Sequence, residues 1–195
     1  MLINVIVPVG LAVAGALTLH HRIYAGDIRE TEEHRNAFGA VRVRIKLPGL
    51  SANVDEPILI CGRVGSASLI FIRLVSPTRA RVGVEFWGRE LSQGDEFPLA
   101  APDAVLELKC YVPAFFPEPG ARAWKRTDPA TQKKRTSSYE IWVNGQLRLA
   151  GATDYRQPPH SGFYLGVNPL GGSFVSARFS GTILDFAQEK LGASP

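Results

Sequence analysis

The sequence predicts an all-β fold, an antiparallel two-sheet sandwich or barrel, behind one apolar N-terminal segment. Three observations predict it. From residue 41 onward apolar and polar residues alternate with a period of two. Gly and Pro, 19 and 14 of 195 residues, punctuate the chain too often for a helix bundle. Residues 2–19 carry no charged side chain.

The alternating runs come in order. In residues 41–47, VRVRIKL, the apolar and basic residues alternate strictly, so Val41, Val43, Ile45 and Leu47 are expected inside and Arg42, Arg44 and Lys46 outside. Pro48-Gly49 ends this strand. Residues 58–61 form a short apolar run closed by Gly62, and residues 69–74 are apolar except for Arg73, as in a central strand. Residues 81–87 alternate again up to Gly88. Residues 105–112 put Leu106, Leu108, Cys110 and Val112 on one face, with Glu107 and Lys109 on the other. Residues 139–143 and 146–149 flank Asn144-Gly145, the strongest short-range hairpin signal, because both turn residues accept positive φ. Residues 163–167, 174–179 and 182–186 close a series of nine or ten strands with no helix expected between them. Closely spaced strands without crossover helices give an antiparallel sandwich or barrel.

Three local features resemble the concanavalin A-like superfamily, and within it the laminin G-like domain. Residues 41–47, 58–62 and 69–74 are similar to its first core strands. Residues 139–145, YEIWVNG, resemble its strand followed by an Asp/Asn-Gly turn. GFYLG at 162–166 with FSGTI at 179–183 resembles its closing strands. The resemblance covers about residues 41–186 and implies an antiparallel jelly-roll-like β-sandwich. Its glucanase branch implies a Glu-x-Asp-x-Glu run, which this sequence lacks, so paired carboxylates for glycoside hydrolysis are missing. A calcium rim site would have to draw on Asp154, Asn168 and Asp185, whose spacing reads better as turn and strand-end residues.

The domain plan is a transmembrane helix at 1–22, a charged linker at 23–40, the sandwich at 41–186 with an inserted basic loop at about 115–138, and a tail at 187–195. Residues 2–19 have three competing readings: a cleaved signal, a buried core segment and a single membrane span. A signal peptide needs a basic region before its apolar stretch, and here the first basic side chain is Arg22. Pro8 and Gly10 disfavour a soluble helix but are tolerated in a membrane, which leaves the span favoured. Gly10 and Ala14, like Ala12 and Ala16, repeat at i, i+4, a spacing that lets a second helix approach. Arg22, Arg29 and Arg35 then place the domain on the cytoplasmic side. His20 and His21, which could ligate a metal or tetrapyrrole, read as a polar interfacial flank, so no cofactor is expected.

No nucleophile elbow, phosphate loop or dinucleotide fingerprint is present. His160 reads as a turn residue. Two cysteines, Cys61 and Cys110, are too few for a disulfide scaffold or a structural zinc site; their separation permits a disulfide between strands, and in a cytoplasmic domain they read instead as two buried thiols.

The charge is concentrated. Residues 122–135 carry Arg122, Lys125, Arg126, Lys133, Lys134 and Arg135 against Asp128 alone, net +5, while the whole chain is +4. With only Trp124 interleaved this is no nucleic-acid stripe. It fits anionic lipid or an acidic partner. The sequence therefore suggests a non-catalytic single-pass membrane protein, an accessory or scaffolding subunit of a larger complex of other membrane protein subunits, respiratory and photosynthetic assemblies being two settings. The alternative is a membrane-anchored carbohydrate- or ligand-binding module on the outer side. Exposure of Trp87, Trp142 or Tyr164 on the concave face would favour the alternative, and a cleft of perturbed carboxylates would favour an enzyme.

Overall fold

Strict alternation at 41–47 produces the first strand, β1 (Val41–Lys46). Val41, Val43 and Ile45 are fully buried, while Arg44 and Lys46 face solvent. A one-residue slip would exchange those faces, so burial fixes the register. The computed structural model describes residues 38–49, 53–154 and 163–191. The expected span, the linker up to residue 37 and the small-residue stripe at Gly10, Ala12, Ala14 and Ala16 lie outside the described residues, as does His160. Among the described residues no helix is long and apolar enough to cross a membrane.

After β1 the chain crosses to a second sheet and makes β2 (Asp55–Arg63), β3 (Ser66–Ser76), β4 (Arg79–Phe86), β5 (Glu90–Gln93) and β6 (Phe97–Pro98). It returns for β7 (Val105–Tyr111), β8 (Ser138–Val143) and β9 (Gln146–Ala152), crosses again for β10 (Phe163–Leu165), and ends in β11 (Thr182–Gln188) beside β1. The five-stranded sheet runs β11-β1-β7-β8-β9. The six-stranded sheet runs β10-β2-β3-β4-β5, with β6 paired to β4. All named pairs are antiparallel, and the repeated crossing between sheets makes the sandwich jelly-roll-like.

The inner faces follow the sequence. Leu106, Leu108 and Cys110 of β7 meet Ile70, Ile72, Val82, Val84 and Phe86 of the facing sheet in one core. Each such aliphatic or aromatic side chain contributes about 1.5–3 kcal/mol on burial. Pro57, which cannot donate to a ladder, sits where the β2–β3 register shifts. Asn144 and Gly145 adopt φ +49° and +75° and close the β8–β9 hairpin. The Asn144 side-chain oxygen also accepts from Glu107 N at 2.9 Å, tying the turn to β7.

Three expectations are corrected. The basic stretch is not a loop: it holds a 3-10 turn at Arg122–Arg126 and an α-helix, α1 (Pro129–Ser137). Asp128 caps that helix by accepting from Thr131 N at 2.8 Å, and Pro129 stands in its first turn, where its missing donor costs nothing. Residues 174–179 form no strand. They belong to a loop in which Asn168 donates to Ser173 Oγ and Val175 O and accepts from Leu170 N. Finally, β2, β3 and β11 run beyond their predicted bounds, and the short β5 and β6, with too few residues to show a period, complete eleven strands among the described residues.

Candidate functional site

The outer face of the six-stranded sheet carries two unlike halves. One is a charged ladder. Register places Asp55 of β2 opposite Arg73 of β3, and Arg73 opposite Arg81 of β4. Arg73 donates twice to Asp55, from Nε to Oδ1 at 2.7 Å and from Nη2 to Oδ2 at 2.8 Å. This fork-to-fork geometry is the strong form of an ion pair. Arg81 donates to Gln93 Oε1 at 3.2 Å and to Glu96 Oε1 at 2.6 Å, and Arg79 Nε reaches Glu96 Oε2 at 2.9 Å. The bonds from Arg79 and Arg81 hold the Glu96 carboxyl below the usual range. Three guanidinium groups thus share two carboxylates. Arg73 and Arg81 keep 29% and 28% of their side chains in solvent, and Arg81 Nε is buried without a partner among the described residues.

The other half is apolar. Ile60, Ala67, Leu69 and Phe71 form a second cluster with Val175, flanked by Trp87, Tyr164 and Leu170. The Phe71 ring lies on Gly83: a Cβ there would stand 2.1 Å from Phe71 Cζ. The roof over this cluster is the loop at 166–181, which crosses the sheet obliquely. Ser176 N donates to Asp55 O on β2 at 2.7 Å, and Phe174 N donates to Glu85 Oε2 on β4 at 3.2 Å. Glu85 is 1% exposed, and its other oxygen accepts from Gly88 N at 3.3 Å. At the loop's far end Ser180 donates to Glu56 from both its backbone N and its hydroxyl, at 3.0 and 2.7 Å. Phe174 itself is 75% exposed, and Leu91, cross-strand from Glu85, is also exposed. Phe174 and Leu91 thus stand exposed at Glu85, on the same sheet face as the arginine ladder and four residues along β4 from Arg81.

The basic residues singled out from the sequence are split by the structure. Lys134 and Arg135 both bind Glu140, at 2.6 and 3.2 Å, and the Arg135 guanidinium sits 3.8 Å from the Tyr111 ring centroid. They are part of the wall of the five-stranded sheet. Trp124 is core: it is 4% exposed, stacks on Phe116, and donates to the carbonyls of Pro117 and Glu118. Arg122, Lys125, Arg126 and Lys133 are exposed.

Of the three aromatics, Trp87 and Tyr164 lie on the six-stranded sheet's outer face, half-buried beside the apolar cluster. Trp142 lies outward on the other sheet, between its partners Lys109 and Leu147. Cys61 and Cys110 are buried free thiols, pushed up to about 12 by burial, and so inert. Asn168 organises the roof loop and Asp185 stands exposed on β11. Among the described residues no group of three or more His, Cys, Asp or Glu is placed to hold a metal.

The ladder escaped sequence reading because its members come from separate strands. The usable signal was Arg73, a lone cation inside an apolar run, which demands a partner when buried.

No protein-family model matches the chain, and no curated protein does. Among solved structures it is similar to the CBM40 of Ruminococcus gnavus IT-sialidase bound to α2,6-sialyllactose, with TM-score 0.49 and 11% identity over 88% of this chain and 87% of that one. The same CBM40 determined with no ligand named gives 0.48 and 12%, over 85% and 83%. Leech intramolecular trans-sialidase complexed with 2,7-anhydro-Neu5Ac gives 0.47 and 11%, over 84% of this chain and 23% of that one. Likenesses this low in identity and TM-score assign no ligand to this chain.

Proposed function

We propose that the chain is a non-catalytic binding module that takes an oligosaccharide bearing a carboxylate on the outer face of its six-stranded sheet. The observation that carries this is the placement on one sheet face of an arginine-rich ladder and an exposed aromatic, Phe174. Sugar rings present apolar C–H faces to an aromatic such as Phe174 and hydroxyls to planar donors such as Arg81 and Gln93. A carboxylate can accept from the guanidinium N–H groups that Asp55, Gln93 and Glu96 leave unused, such as those of Arg73 Nη1. Asp55 and Glu96 are committed to arginines and Glu85 to backbone donors. None is thereby poised as the acid or base of a hydrolase, which supports a binding role. The laminin G-like resemblance of the β8–β9 hairpin points the same way.

The test is a panel of neutral and carboxylated oligosaccharides offered to the wild-type chain and to Arg81→Ala and Phe174→Ala. Retention of the carboxylated members alone, lost in both variants, supports the reading. Equal retention of neutral and acidic members, or none, overturns it. The reading also sets the domain on the non-cytoplasmic side, against the expectation from Arg22, Arg29 and Arg35. Protease protection in intact cells decides between the two sides. An accessory-subunit role draws on residues 2–19, and co-purification in fixed stoichiometry from native membranes is its test.

A further inference from the structure

We infer that the pole of the sandwich formed by the 3-10 turn and α1 docks on an anionic lipid bilayer, through Arg122, Lys125, Arg126 and Lys133. The topology brings three things to this pole. β1 begins here, since Val41 pairs with Cys110 near the end of β7 and with Gln188 at the end of β11. The chain leading into β1 is fixed against the same end: Gly39 N donates to Phe115 O at 2.9 Å, and Glu189 N donates to Ala40 O at 2.8 Å. The basic segment is inserted between β7 and β8, and α1 packs on the 3-10 turn Pro113–Phe115 that holds Gly39. The segment that carries the exposed cations therefore packs at the end of the sandwich where the N-terminal 37 residues join the domain.

Charge separates this surface from the rest of the molecule. Elsewhere among the described residues Arg42, Lys46, Lys109 and Arg73 are matched by Glu107, Asp103, Glu189 and Asp55, while the cations in no ion pair, such as Arg44, Arg63, Arg89 and Arg178, stand singly on separate strands and turns. Even within the segment, Lys134 and Arg135 are tied to Glu140. Arg122, Lys125, Arg126 and Lys133 take part in none of these pairs, and Asp128 is engaged as the cap of α1. The segment is thus a rigid, capped platform with a set of cations left for an external anion.

A bilayer is the occupant that the sequence favours. Residues 2–19 are uncharged and apolar, and residues 20–37 connect them to this pole. A connector of that length reaches at most about 60 Å when fully extended. A domain so tethered meets headgroups at high effective concentration. Four cations, each worth roughly a factor of five at an anionic leaflet, shift the docked-to-free ratio by up to several hundredfold.

The experiment uses the full chain in vesicles of phosphatidylcholine alone or with about one-third phosphatidylglycerol, an anionic lipid. Single nitroxide labels are placed at Ala123→Cys and Ala130→Cys on the pole, and at Ala100→Cys in the turn beyond β6 at the opposite end, all exposed positions. Cys61 and Cys110 are buried and stay unlabelled. Collision with a water-soluble nickel chelate is expected to fall at Ala123 and Ala130, not at Ala100, in the anionic vesicles only. High salt should restore it, because exposed charges are screened within about 3 Å at 1 M. So should the fourfold change of Arg122, Lys125, Arg126 and Lys133 to Gln. Pole labels as accessible as the Ala100 label in anionic vesicles would overturn the inference. Equal protection on phosphatidylcholine alone would overturn it too, as would protection that appears only when membrane proteins are added, which would mean an acidic protein partner.

Discussion

The Tyr139 hydroxyl donates to Ser92 Oγ at 2.8 Å, joining β8 of one sheet to β5 of the other. Ser92 in turn donates to Glu90 Oε1 at 3.1 Å, and the Tyr139 ring meets Phe86 edge-on at 5.4 Å. A single side chain thus bridges the sheets through both its ring and its hydroxyl. Tyr139→Phe should cost about 1 kcal/mol, the net worth of one hydrogen bond. Gly151→Ala should cost more, about 1–3 kcal/mol, because its Cβ would stand 2.3 Å from the Tyr139 hydroxyl. Urea unfolding of the two variants checks the ranking. Burial also raises the Tyr139 phenol above 10. A group raised on folding gives stability that is complete below its unfolded value and is lost as pH climbs through the folded one. Wild type should therefore lose more stability above pH 10 than Tyr139→Phe does.

Val43 faces the core from the middle of β1 and is fully buried. Val43→Asp places a carboxylate among Leu108 and its neighbours with no cation facing it. Burying an unpaired charge exceeds what a marginally stable domain can absorb, at about 5–15 kcal/mol in total. Circular dichroism should show no cooperative transition for this variant. Arg44→Gln, one residue on but exposed, should melt within about 0.5 kcal/mol of wild type.

Arg135 is structural where its sequence neighbour Lys133 is not. Arg135→Glu removes the Tyr111 stack and opposes Glu140, and it should cost about 1–3 kcal/mol. Lys133→Glu should leave stability unchanged within about 0.5 kcal/mol. Burial raises the Glu140 carboxyl, but bonds from Lys134 and Arg135 outweigh this and lower it below 4.5. A carboxyl lowered on folding gives stability that is complete above its unfolded value and is lost as pH falls through the folded one. The penalty of Arg135→Ala should accordingly shrink below about pH 4, which a melting series across pH reads directly.

Glu85 holds the roof loop by accepting from Phe174 N, and it is buried on the outer face of the sheet. Glu85→Ala should release the segment at 166–181 while leaving the inner core intact. Amide exchange should then accelerate at Phe174 and Gly88, with β3 and β7 unchanged. Uniform acceleration across all strands would mean that Glu85 supports the whole domain instead.

What the sequence disclosed depended on how local the cause was. β1, β7 and the β8–β9 hairpin were legible because a period of two and an Asn-Gly turn act within a few residues. α1 was hidden because it has no buried residue and so no apolar period. It stands on the Asp128 cap and the Arg135–Tyr111 stack, of which only the first leaves a local mark. The roof loop imitated a strand because Val175 and Phe179 are apolar and buried. Yet Gly171 and Gly172, at φ +63°, turn the chain before them, and Asn168 holds the turn by its side chain. The arginine ladder needed register between β2, β3 and β4, which no single segment encodes.

The proposed binding surface for a carboxylated saccharide is the outer face of the six-stranded sheet. The direct measurement is amide chemical-shift mapping of the labelled full chain, titrated with a carboxylated oligosaccharide and with its neutral counterpart. Saturable shifts are expected at Arg73, Arg81, Gln93 and Phe174 with the acidic ligand alone, and none in Arg81→Ala. Shifts confined to the five-stranded sheet, or the same response to both ligands, would contradict it.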